Sequence, residues 1–145
     1  MSNWFECKVS YEKTIAETGI MKKVTEPYLV DALSFTEAEA RIIEEITPFM
    51  SGEFAVAGIR RVRYAEIFFN EDADRYYRCK VNFITLDEKS GMEKRTAQAM
   101  LVQASSLKDA LDRLNEGMKN TLADWEVVAI ADTPLMDVFK FAVKE

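Results

Sequence analysis

Trp4-Phe5-Glu6-Cys7-Lys8-Val9-Ser10-Tyr11 returns, 72 residues further on, as Tyr76-Tyr77-Arg78-Cys79-Lys80-Val81-Asn82-Phe83. The same offset then runs on without a gap. Gly19 falls on Gly91, Lys22-Lys23 on Lys94-Arg95, and Tyr28-Leu29-Val30-Asp31-Ala32 on Met100-Leu101-Val102-Gln103-Ala104. It continues through Ser34/Ser106, Ala38/Ala110, Arg41/Arg113, Val56/Val128 and Phe69/Phe141. Self-similarity at one long period is the mark of a repeat architecture. A tandem duplication is therefore expected, with repeats at 4–70 and 76–142.

The opening stretch alternates. Phe5, Cys7, Val9 and Tyr11 point one way and Trp4, Glu6, Lys8 and Ser10 the other, the period of a half-buried strand. Its copy puts Tyr77, Cys79, Val81 and Phe83 inward, with Tyr76, Arg78, Lys80 and Asn82 outward. A polar connection containing Gly19 or Gly91 predicts a hairpin to a second strand, Met21 to Leu33 or Glu93 to Ala104. Pro27 has no N–H to give a ladder, which predicts an irregular stretch or an edge there.

Ser34-x-x-Glu37 and Ser106-x-x-Asp109 each set a hydroxyl at a helix N-cap with a carboxylate three residues on. Apolar positions follow at helical spacing: Ala38, Ile42, Ile46 and Phe49, then Leu107, Ala110, Leu111, Leu114 and Met118. Pro48 is expected to end or kink the first helix. Extended segments close each repeat. Phe54 to Ile59 runs on, or bulges, into Arg60 to Phe69; Trp125 to Ala131 is followed by a break at Asp132-Thr133-Pro134 and then by Leu135 to Val143. The fold class is α+β: two β-β-α-β-β units related by a pseudo-twofold, with antiparallel sheets covered by two helices.

A chain of 145 residues, 48% hydrophobic, is sized for a single compact domain. Half of it alone would have a thin core, so the two repeats are expected to share one core or pack tightly. The net charge of −6 weighs against strong non-specific attraction to phosphate backbones. Neither a membrane-length apolar run nor a signal-peptide pattern is present, which predicts a cytoplasmic protein without a membrane partner. Cys7 and Cys79, on equivalent strands, read as reduced buried thiols, with a redox pair or interchain bridge as the alternative.

The chain has no histidine, which removes the commonest general base and metal ligand. Gly-x-Ser-x-Gly, phosphate-binding and dinucleotide-binding glycine patterns are missing too. No enzymatic activity and no cofactor are expected. Asn70-Glu71-Asp72-Ala73-Asp74 lacks the glycine and closing glutamate of a calcium loop, so it reads as a solvated turn and no metal is expected.

The strongest functional pattern is the outward face of the first strand of each repeat. Trp4 and Lys8, and then Tyr76, Arg78 and Lys80, put aromatic rings and cations on one strand face. Rings stack on unpaired bases and cations track phosphates, which suits single-stranded DNA or RNA. Arg60, Arg61, Arg63 and Tyr64 add a basic-aromatic cluster. A protein-interaction or regulatory module is the other reading. Ile67-Phe68-Phe69 and the segment from Leu135 to Phe141 are apolar on both sides, as a protein partner or a homodimer interface would require.

Tyr28-Leu29-Val30-Asp31-Ala32-Leu33-Ser34-Phe35-Thr36-Glu37-Ala38-Glu39-Ala40-Arg41, with the opening Trp4-Phe5-Glu6-Cys7-Lys8, resembles an uncharacterised domain-of-unknown-function family. That family occurs in gut-dwelling anaerobic bacteria and their phages, and the likeness covers nearly the whole chain. The resemblance brings no activity or site residue with it. What it implies is a small bacterial or phage protein.

Overall fold

The computed structural model describes residues 3–140. Phe141 and Val143, included above in the last extended segment, lie outside the described residues. The element order is β1 (Asn3–Thr14), β2 (Met21–Ala32), α1 (Phe35–Ile46), a 3-10 turn (Thr47–Phe49), β3 (Phe54–Val62) and β4 (Glu66–Phe68). It then repeats as β5 (Arg75–Leu86), β6 (Glu93–Ala104), α2 (Leu107–Met118), β7 (Asp124–Asp132) and β8 (Asp137–Phe139). Each half is β-β-α-β-β, and the fold is α+β.

The strands are distributed in a way the linear pattern does not show. One four-stranded sheet has the order β3-β1-β2-β8 and the other β4-β6-β5-β7. The closing strand of each half has joined the sheet of the other half. β8 lies parallel to β2, pairing Tyr28 with Asp137 and Val30 with Phe139. β4 lies parallel to β6, pairing Glu66 with Met100 and Phe68 with Val102. Of the described residues, the first compact unit therefore holds 3–63 and 134–140, and the second holds 64–133.

In the first unit the alternation of β1 is realised as read. Phe5, Cys7, Val9, Val30 and Ala32 form a buried cluster with Ala38, Ile42 and Ile46 of α1. The second unit builds the corresponding cluster from Tyr77, Cys79, Val81, Met100, Val102 and Ala104 against Ala110, Leu114 and Met118. Both helices start where the sequence puts them. Ser34 Oγ accepts from Glu37 N and Ser106 Oγ from Asp109 N, each at 3.1 Å. The outer turns differ from the expectation. Phe49 belongs to the 3-10 turn after α1 and is 79% exposed, while Leu107 and Leu111 stand on the solvent side of α2.

Pro27 does not disturb β2, whose register against β1 is unbroken from Asn3↔Ala32 to Thr14↔Met21. Its carbonyl accepts from Met136 N at 2.9 Å, so its nitrogen faces the same side, away from β1, where no ladder donor is needed. β3 carries a bulge opposite Lys8/Val9, and β7 carries one opposite Lys80/Val81. The bulges correct the gapless alignment. Val9 pairs with Val56 and Val81 with Val127, so beyond the helices the offset falls from 72 to 71, and the partners are Val56/Val127 and Phe68/Phe139.

Gly19 and Gly91 have φ of 69° and 71°, and each donates its N–H back four residues at 2.8 Å to close the hairpin. These left-handed positions explain why glycine recurs there.

Candidate functional site

The residues expected to form a nucleic-acid face are dispersed by the fold. Tyr76 is only 3% exposed, so its ring offers no stacking platform. Leu29 and Leu101, on the same outward faces, are buried as well. Arg60 is on the outward face but binds Glu6 Oε2 at 2.7 Å, which cancels the charge at the centre of that face. Arg61, one residue on, points to the helix side, where its guanidinium lies 5.4 Å from the Phe5 ring and 5.8 Å from the Phe35 ring. Arg63 and Tyr64 follow the end of β3, and Trp4 is half-buried between Asp31 and Val62. Lys8, Arg78 and Lys80 remain on exposed outward positions of β1 and β5. Among the described residues Arg78 and Lys80 have no carboxylate partner, and their lateral neighbours on that face include Ala99, Ala129 and Ala131.

A different feature gathers side chains in the first unit. Beyond the end of α1 the sheet is uncovered on its helix side, leaving an open cleft of about 1150 Å³. Tyr11, Glu26, Tyr28 and Phe54 line it from three strands. Phe49 and Met50 line it from the turn after α1, with Met21 and Met136 on other parts of its lining. The strand geometry explains the gathering. Cys7 and Val9 face the helix, so Tyr11 is the next inward residue on β1; Glu26 and Tyr28 stand opposite Val9 and Cys7 on β2.

The polar members are linked. The nearby Glu26 side chain, first as a hydrogen-bond acceptor for the hydroxyl, holds the Tyr11 phenol above its ordinary pKa. Tyr28 is pushed upward too, by burial first and then by the negative charges of Glu26 and its neighbours. Its ring stacks on Phe139 of the exchanged strand, with centroids 5.9 Å apart and planes 12° from parallel. Both phenols therefore stay neutral at physiological pH, and the Glu26 side chain stands beside them.

The second unit makes the comparison informative. Its equivalent hollow, about 300 Å³, is lined by Phe83 for Tyr11, Gln98 for Glu26 and Met100 for Tyr28. Phe68 occupies the place of Phe139, and its ring lies against Gly117 of α2. The two units thus keep the same scaffold but differ in this hollow: small, with Phe83, Gln98 and Met100 beside Glu66 in one, wide with Tyr11, Glu26 and Tyr28 in the other. No motif pointed to Tyr11, Glu26 or Tyr28. The available signal was mismatch, at Tyr11/Phe83, Glu26/Gln98 and Tyr28/Met100, between inward positions of equivalent strands.

The thiols lie apart from the cleft. Cys7 and Cys79 are free and fully buried, one in each helix-side cluster. Among the described residues no group of three His, Cys, Asp or Glu side chains is placed to hold a metal ion, and no helix is long and apolar enough to cross a membrane.

Fold and site together define an α+β protein of two strand-exchanged sheet-and-helix units, one of which carries an open aromatic cleft. Residues 3–141 match the family model described as Domain of unknown function (DUF4494), and the chain belongs to that family. No curated protein and no solved structure matches it.

Proposed function

We propose that this chain is a non-catalytic binding module of a bacterial or phage cell, and that the first unit's cleft takes a segment of a protein partner. One observation carries this reading. The cleft leaves apolar side chains open to water, Phe49 at 79%, Met21 at 55% and Met136 at 49% exposed, around a polar floor. A concave surface with apolar walls and a few convergent polar groups is the usual form of a ligand site. The unlike residues of the second unit show that the scaffold does not itself require this surface. The test is selection from a random peptide library on the whole chain, followed by rebinding to Phe49→Asp. Micromolar peptides that lose at least tenfold in affinity on Phe49→Asp are expected. Peptides indifferent to that charge, or no enrichment, would contradict the cleft.

Single-stranded nucleic acid is a second reading, carried by the exposed cations Arg78 and Lys80 of β5, which have Ala99, Ala129 and Ala131 beside them. Small neighbours allow close approach of a phosphate chain to both cations. Anisotropy of labelled DNA and RNA oligonucleotides at low and moderate salt decides it. Binding that falls with salt and is lost in Arg78→Glu/Lys80→Glu supports this reading. No binding at low salt removes it.

A further inference from the structure

We infer that the cleft of the first unit recognises a basic side chain, an arginine or lysine presented by the bound protein segment; this deepens the cleft reading above and rests on it. A cation is attracted to the faces of aromatic rings and most strongly where a carboxylate completes the enclosure. The cleft supplies both. Tyr11, Tyr28 and Phe54 line it together with Glu26. The stacking of Tyr28 on Phe139 fixes one wall, which reduces the ordering a ligand must impose.

The other charges around the cleft do not reverse this preference. Glu12 and Lys23 are cross-strand partners of opposite sign, so they offset each other. Lys13 stands further along β1 toward the hairpin end, and Glu53 enters from the turn before β3. Glu26 thus stands next to the rings, opposite Val9 on the floor of the sheet, and Asp137 adds a second acidic side chain beside Tyr28. A neutral or acidic side chain placed there would leave those acidic side chains without a counter-charge.

The second unit supplies the control from within the same molecule. Tyr11→Phe, Glu26→Gln and Tyr28→Met install the residues that stand at the equivalent positions Phe83, Gln98 and Met100. Because the same scaffold already accommodates these residues, the exchanged chain is expected to fold.

The experiment is amide NMR of the whole chain titrated with the blocked amides of arginine, lysine, trimethyllysine, acetyllysine and citrulline. Saturable shifts centred on Tyr11, Glu26, Tyr28 and Phe54 are expected with the three cations, at millimolar affinity. Acetyllysine and citrulline should bind at least tenfold more weakly, and Glu26→Gln should remove the difference. Equal binding of charged and neutral amides would overturn the inference, as would shifts that fall elsewhere. Cleft-dependent peptides from the library that bind equally well with lysine acetylated would defeat the inference while leaving the cleft intact. Failure of the library itself would remove the cleft along with it.

Discussion

Cys7 shows most directly how position sets the chemistry of a residue in this chain. It lies on the helix side of β1 with no exposed surface, and burial, helped by the charge of Glu6, pushes its thiol from 9.0 up to about 12. Burial alone takes Cys79 to about 11. A thiol whose folded pKa exceeds its unfolded value holds its proton longer in the native state. Its contribution to stability is complete below pH 9 and is lost as the pH climbs from 9 toward 11 and 12. Native protein at pH 8 should therefore resist iodoacetamide for hours, and denatured protein should take up two equivalents, as read by intact mass. Rapid labelling of native protein would contradict the burial. Arg41 gives a second residue-level prediction. Its guanidinium, 13% exposed, donates to the Asp31 carbonyl and, at 2.9 Å, to the Lys140 carbonyl just past β8. Arg41→Ala should cost about 2 kcal/mol in denaturant unfolding and speed hydrogen exchange at Phe139. An unchanged midpoint would mean the exchanged strand is held without it. Both thiols were legible from strand alternation, whereas the Arg41 link was not, because it joins positions 99 apart in the chain.

At the scale of elements, the local signals for where the helices start were read accurately and lateral ones were not. Serine caps and apolar spacing located α1 and α2, because capping and helix burial depend on residues three and four apart. The one-residue slip after the helices stayed hidden because Val127 and Val128 sit side by side, and either matches Val56 until strand pairing decides. Phe49 was misplaced because helical spacing continues past Pro48, whose ring closes the helix into a 3-10 turn. Gly117 tests how β4 is held on α2. A methyl there would come within 2.6 Å of the Phe68 ring, while the helix itself would gain from alanine. The overpacking cost of ~1–3 kcal/mol exceeds the helical gain of roughly 1 kcal/mol. Gly117→Ala should therefore lower stability, and Gly117→Ala/Phe68→Leu should recover part of the loss. A stabilised single variant would show that Phe68 does not rest on α2.

At the scale of the whole molecule, the sequence displays two β-β-α-β-β halves but is silent on which sheet each closing strand enters. Glu66-Ile67-Phe68 and Asp137-Val138-Phe139 share one pattern, acid, aliphatic, phenylalanine, so either would suit either sheet edge. Alternation reports which side of a strand is buried and carries no record of its neighbour. The exchange also bears on the cleft, since Phe139, the wall behind Tyr28, arrives from the far end of the chain. The aromatic-plus-cation pattern was legible but incomplete as a guide, because outward position on a strand does not by itself give exposure, as Tyr76 shows. Strand exchange is the claim on which fold and site both depend, and thiol cross-linking tests it directly. In a Cys7→Ala/Cys79→Ala background, Tyr28→Cys is combined with either Asp137→Cys or Glu66→Cys and treated with dibromobimane. Paired residues of neighbouring strands lie about 4.8 Å apart, within reach of that reagent. The Tyr28→Cys/Asp137→Cys protein should cross-link within one chain and Tyr28→Cys/Glu66→Cys should not; the reverse result would place β4 beside β2 and contradict the exchange.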